Sequence, residues 1–203
     1  MNEYSLKIMA RIIDESKIER IKAATLEMVV LKGYGGASIS EIAHIAGVAE
    51  GYLYRHYKGK AELVNDLLFS NLNDLIQKLE SLLDNHHSVK EIFEQLTRTL
   101  FGLANKSPER IKFLYVLMHD YNFKIQEEQR EKIFSLCRQL KEIGQKSGEL
   151  SSDIDEEEVY LLTVAYPIQL INLHLKNFFN RTSLGEEEVQ RVLKTQYNLI
   201  RTK

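Results

Sequence analysis

One cysteine, Cys137, and two prolines are all that this 203-residue chain carries of the residues that staple or break a backbone, with ten glycines beside them. A lone cysteine excludes an internal disulfide and fits a reducing compartment. Scarce proline and glycine favour long helices over many turns. No run of 18 or more apolar residues is present, so no transmembrane helix is expected. The first residues, MNEYSLKIMARIIDES, are interrupted by Glu3, Asp14 and Glu15 and lack the small-residue cleavage site of a signal peptide, which predicts a cytoplasmic protein. Period-two alternation is missing over any useful length, and so are internal repeats and low-complexity tracts. An excess of charge of one sign is missing too: the formal net charge is −2, and residues 1–66 hold nine Lys/Arg against nine Asp/Glu. No His-x-x-x-His or Cys-x-x-Cys spacing occurs, so neither a metal nor a cofactor is indicated. The histidines, including the adjacent pair His86-His87, read as surface or core residues, and Cys137 reads as a small core hydrophobe.

What is present is helical periodicity from end to end. The expected fold class is all-α with about nine helices. Ile18, Ile21, Ala24 or Thr25, Met28 and Leu31 form the inward stripe of a first helix over residues 17–32, which the apolar residues of the leader continue or pack against. Leu63, Leu67, Leu68, Leu72, Leu75, Ile76, Leu79, Leu82 and Leu83 predict a long helix over 60–84, placed to link two domains. Ser88 with Glu91 is a capping box opening a helix to about residue 106, and Pro108 suits the first position of the next. That next helix, with the run ERIKFLYVLMHDY, is apolar on nearly every side and is expected to be buried all round. An amphipathic helix over 127–146 follows. Asp155 and Glu158 then cap a helix reaching about residue 180, which Pro167 should bend or break. A last helix spans 186–201.

The densest signal lies between Ser38 and Lys60. Ser38 and Glu41 form a capping box; Ile39, Ile42, Ala43 and Ala46 recur at helical spacing; Gly47 ends that helix. A second short pattern turns Leu53 and Tyr57 inward, while Tyr52, Tyr54, Arg55 and His56 make an aromatic and basic exterior. Two short helices joined by a tight turn are a helix-turn-helix, whose second helix enters a DNA major groove. Its positive charge is confined to Arg55, Lys58 and Lys60, so one copy should hold DNA weakly and a dimer is needed.

Residues 17–63 resemble the DNA-binding domain of the TetR family of transcriptional regulators. The resemblance rests on Lys32-Gly33-Tyr34, Ile42-Ala43, Ala46-Gly47-Val48, Gly51, Leu53-Tyr54, His56-Tyr57, Lys60 and Leu63, in order and at the family's spacing. It implies a helix-turn-helix domain over 1–60 and a ligand-binding and dimerisation domain over 61–203. It places Ser40, Glu50, Gly51 and Tyr52 near base edges, and Ser38, Tyr54, His56 and Lys60 at phosphates. Arg55 adds a charged fork. Ala49 and Tyr52 depart from the family, which leaves the recognition helix without its usual cap and alters the groove contact.

The resemblance further implies a ligand-responsive repressor, released from its operator DNA by a small molecule, and a homodimer paired through the last two helices. A pocket for a largely apolar ligand is expected at Tyr115, Met118, His119, Tyr166 and His174, which combine apolar walls with polar handles. No nucleophile–base constellation stands out, so the expectation is not an enzyme. An all-α small-molecule-binding protein or enzyme using the C-terminal cavity remains an alternative. So does a protein-interaction module that has lost DNA binding.

Overall fold

The computed structural model describes residues 3–85 and 88–200, with side chains from residue 14 onward. All regular structure among them is helical, and the chain divides into two compact units. His86, His87 and the apolar side chains of the leader lie outside the described residues.

The first unit comprises residues 1–70 and 116–124. Helix α1 (Glu3–Gly36) kinks at Gly33, whose φ of 75° glycine adopts without a steric cost. Ile21, Ala24, Thr25, Met28 and Val29 are its buried stripe. Leu31, expected inward, is 72% exposed. It falls at the edge of a stripe centred on Ile21, Thr25 and Met28, in the last turn before the kink. Helix α2 (Ile39–Ala46) starts where the Ser38 hydroxyl accepts the Glu41 N–H at 3.2 Å. The Glu41 carboxylate returns to the Ser38 hydroxyl at 3.1 Å and to Lys32, so the cap is closed by side chains. Gly47, left-handed at φ 65°, ends α2 and donates its N–H to the His44 carbonyl. Helix α3 (Glu50–His56) follows, and Ala49 gives it no side-chain cap. Helix α4 (Lys60–Asp84) then buries Leu63, Val64, Leu67 and Leu68. Those side chains carry the compact boundary to 70/71, beyond the boundary expected after residue 60.

The second unit comprises residues 71–115 and 125–203. Helix α5 (Val89–Lys106) opens with the reciprocal Ser88–Glu91 cap, and α6 (Pro108–His119) begins at its proline. Helix α6 is not buried on every side: Ile111, Phe113, Leu114 and Leu117 are buried, whereas Met118 and His119 are exposed. Helix α7 (Glu127–Ser147) buries Leu136, Cys137 and Leu140. Burial pushes the Cys137 thiol up to about 11, which keeps it a protonated, unreactive thiol.

Pro167 does not break the helix that contains it. Helix α8 (Glu156–Tyr160), a π-helical turn (Leu161–Ala165) and α9 (Tyr166–Leu175) run on as one rod. With α10 (Glu186–Ile200), this gives nine continuous helices among the described residues. The π turn bonds each N–H five residues back, as Tyr166 does to the Leu161 carbonyl. The next such bond would need the N–H that Pro167 lacks, leaving the Leu162 carbonyl without a helical donor. Gln196 on α10 supplies one at 2.7 Å, and Thr97 on α5 donates to the Gln196 side-chain oxygen at 3.4 Å. Helix α9 stops at Leu175, short of the expected residue 180, and Asn177 and Asn180 take left-handed φ values of 51° and 55° in the loop beyond.

Candidate nucleic-acid interface

Helix α3 is held by its inner side and leaves its outer side open. Leu53 is fully buried, and Tyr57 closes the helix while donating its hydroxyl to Asp66 at 3.0 Å. Glu50, Gly51, Tyr54 and Arg55 are all exposed. Positions one, two, five and six of a helix share a face, so these four side chains form one outward surface. Tyr54 is 57% exposed, and a Cβ placed on Gly51 would meet nothing within 4 Å. Ser40 on α2 and His56 are also exposed. Ser38 is half-buried, with its hydroxyl engaged in the α2 cap.

Two residues expected at DNA are engaged within the fold instead. Tyr52 does not face outward: it is 7% exposed, and its hydroxyl donates to the Asp14 carboxylate of α1. Its ring stacks near His56 at 4.7 Å and lies 5.0 Å from both the Lys17 ammonium and the Arg55 guanidinium. Burial and the Asp14 carboxylate push the Tyr52 phenol up to about 12. A bulky tyrosine where the family has a small residue is thus absorbed by packing between α3 and α1.

Lys60 is likewise not a free cation. Its ammonium donates to the carbonyls of Tyr34 at 2.8 Å, Ala37 at 2.9 Å and Gly35 at 3.4 Å, and lies 4.5 Å from the centre of the Tyr34 ring. An ammonium has three N–H donors, and the turn between α1 and α2 engages all three. The amide side of the same turn meets Asp120, whose carboxylate accepts the Gly35 N–H at 3.4 Å. Hydrogen bonds from the Asn122 backbone, and then from those of Gly35 and Tyr34, hold the Asp120 carboxyl below its usual range. Tyr34 also packs edge-on against Phe123, ring centres 5.2 Å apart. Residues 34–37, which deliver the chain into α2, are therefore gripped from both sides.

The five expected ligand residues divide between the two units. Met118 and His119 belong to the first unit; Tyr115, Tyr166 and His174 belong to the second. Tyr115 is half-buried with the Lys176 ammonium 5.4 Å from its ring, and Tyr166 is half-buried in the first turn of α9. His174 is 4% exposed, with Nε2 3.2 Å from the Arg191 guanidinium and Nδ1 without a partner. None of the five lines either of two cavities in the second unit. One, about 380 Å³, lies among α7, α8 and the π turn and includes Ile133, Phe134, Cys137 and Leu161. The other, about 430 Å³, lies among α4, α5 and α6. Its Arg110 and Asn71 were not singled out in the sequence, because they are 39 positions apart and no local pattern joins them.

A closed helix-turn-helix presenting one uncluttered helix face has the geometry with which a recognition helix enters a DNA major groove. Residues 21–67 match the family described as bacterial regulatory proteins, tetR family. That match spans the helix-turn-helix and its flanking helices, so this segment is similar to the DNA-binding part of that family. It is 25% identical over 130 residues to the HTH-type transcriptional repressor KstR2 of Rhodococcus jostii, a match covering 62% of this chain and 64% of that protein, less than two thirds of its length. In fold it is similar to a TetR family transcription regulator from Marinobacter aquaeolei, with a TM-score of 0.77 and 19% identity over 95% of this chain and 100% of the other. It is similar also to FadR from Bacillus subtilis, solved in complex with stearoyl-CoA. There the TM-score is 0.65, with 19% identity over 88% of this chain and 97% of the other.

Proposed function

We propose that this protein is a homodimeric repressor that holds operator DNA with α3 and lets go when a small molecule occupies its second unit. The observation that carries the reading is the outward face of α3. Glu50 and Gly51 lie in its first turn, where a recognition helix meets base edges, and Tyr54 and Arg55 lie one turn on. Glu50 accepts from a cytosine amine; Gly51 lets the backbone approach; Tyr54, Arg55, His56 and Ser40 hold phosphates or edges. Ser38 presents the first turn of α2 to a phosphate through backbone N–H groups, since its hydroxyl is committed to the cap. Tyr52 and Lys60 position this surface from behind and do not touch the duplex.

Residues 1–70 with 116–124 form the DNA-binding domain in this reading, and the remainder receives the ligand and the second copy. Exposed Leu161 and Leu199, 52% and 62% accessible, support pairing through the α8–α9 rod and α10. The stearoyl-CoA held by FadR from Bacillus subtilis, which is similar in fold, supports a ligand with a long apolar portion. Release requires that this ligand bind the DNA-competent and DNA-incompetent conformations with different affinity. Helix α4 runs unbroken from the first unit into the second and is the continuous element such a change would move. Action on DNA places the protein in the cytoplasm; no helix among the described residues is long and apolar enough to cross a membrane.

The test is a mobility shift with the DNA upstream of the protein's own gene. A band competed by the same fragment and not by unrelated DNA is expected, and it should disappear for a Tyr54→Ala, Arg55→Ala double variant that remains folded. An unshifted probe at low salt would refute operator binding there.

A further inference from the structure

We infer that the cavity among α4, α5 and α6 takes an amphipathic anion, with an aliphatic tail along its leucines and an oxyanion head on Arg110. The inference rests on the reading of the second unit as the ligand-receiving one, and it names the chemistry of that ligand. The cavity, about 430 Å³, is within the range of small-molecule sites. Leu72 and Leu75 from α4, Leu100 and Leu103 from α5 and Leu114 from α6 supply its apolar lining. Gly102 adds a stretch of wall with no side chain, and a Cβ there would meet nothing within 4 Å.

The polar lining is one-sided in charge. Three cations border the cavity, Arg98, Lys106 and Arg110, against one carboxylate, Asp74. Arg98 is already neutralised: Glu186 takes it at 2.5 and 2.7 Å, and Glu94 takes it at 3.0 Å. Lys106 is exposed at the end of α5, and no ion pair joins it among the described residues. Arg110 is the anchored one. Its Nε donates to the Asn71 side-chain oxygen at 2.6 Å and its Nη2 to the Asn71 backbone carbonyl at 2.8 Å. Asp74 stands 3.9 Å away and is 76% exposed, so water screens that pair.

A guanidinium has five N–H donors, and Asn71 engages two of Arg110's. Asn71 is itself 7% exposed, so it holds the fork in one orientation before any ligand arrives. A planar, pre-oriented fork with donors to spare suits a carboxylate or phosphate better than a point charge does. Removing an anion from water into a leucine-lined cavity is costly unless such a partner waits there. A neutral lipid would leave Lys106 without a counter-charge and Arg110 with only the water-screened Asp74. The same head chemistry could come from a free carboxylate or from a phosphate ester, so both are assayed.

The experiment is isothermal titration of the full-length protein with decanoate, decyl phosphate and 1-decanol. At least one of the two anions should bind, about tenfold or more tighter than the alcohol. Which of them does so identifies the head group. Arg110→Met should bring the preferred anion down to the level of the alcohol and leave the alcohol's affinity in place. Arg110→Lys should recover part of the preference, and Lys106→Met should weaken the anion by a few fold. Lys106 makes no ion pair among the described residues, so its variant keeps the test open if Arg110→Met melts out of the native range by circular dichroism. Equal binding of anions and alcohol, or a preference that survives in both folded variants, would overturn the inference. If no probe binds while the operator shift persists, the anionic-ligand inference falls and the DNA-binding reading stands.

Discussion

The two units use their buried polar groups for opposite purposes. In the first, buried Tyr52 ties α3 to α1 through Asp14, and half-buried Lys60 and Asp120 grip the turn leading into α2. The centre itself is built on apolar Ile21, Ile42, Leu53 and Leu63, and the outward face of α3 is left to solvent. In the second, polar groups sit inside the helical stack. Thr97, Gln196 and the Leu162 carbonyl form a buried relay around the π turn, and His174 keeps an unpartnered nitrogen. A head fastened at its rim is built to present a fixed surface. A body with a wide turn and a polar interior holds the less uniform packing, where a bound molecule can select among arrangements.

Cutting into the head's centre should have the largest effect. Leu53→Ala leaves a cavity beneath α3 and is expected to cost about 2–5 kcal/mol of stability, lowering the melting temperature and abolishing operator binding. Next comes the relay of the second unit. Gln196→Leu strands the Leu162 carbonyl and should cost about 1–3 kcal/mol in urea denaturation. Pro167→Ala restores a backbone N–H at the start of α9, within reach of the Leu162 carbonyl, so the two substitutions combined should cost less than the sum of the two alone.

That relay marks where reading from sequence stops. Ser88–Glu91, Asp155–Glu158, the Gly47 stop and the span of α4 were all legible, because each is decided by residues within a turn or two of one another. Gln196 and Leu162 are 34 positions apart, and Thr97 is 99 from Gln196. No local pattern announces such pairs. The same limit explains the interface. The outward positions of Glu50, Gly51, Tyr54 and Arg55 follow from helical phase around Leu53. The inward turn of Tyr52 depends on Asp14, 38 positions away, and the capture of Lys60 on carbonyls 23 to 26 positions back. The surroundings of the expected ligand residues were not legible either, because they depend on how helices distant in sequence stack.

Two smaller tests separate fastening residues from reading residues. Arg55→Ala should flatten the slope of log affinity against log salt by about one for each phosphate that the guanidinium neutralises. Lys60→Met should leave that slope unchanged and instead lower the stability of the head by about 1 kcal/mol, since it deprives part-buried turn carbonyls of a charged donor. The smallest effect is confined to alkaline pH. The folded Tyr52 phenol is raised to about 12 from a reference of 10.0, so its contribution is complete below pH 10 and is lost as pH rises through 12. Tyr52→Phe should lack that loss, and its stability curve should converge on the parent's between pH 10 and 12.

Central to the proposed function is that two copies of α3, each showing the face of Glu50, Gly51, Tyr54 and Arg55, read one stretch of duplex together. Selecting bound sequences from a random double-stranded library with the full-length protein tests this most directly. The account predicts an inverted repeat whose half-sites are centred about 10–10.5 base pairs or a multiple apart, with enrichment abolished when Tyr54 and Arg55 are both replaced by alanine. An enriched site with no two-fold symmetry, or enrichment that survives that double replacement, would contradict it.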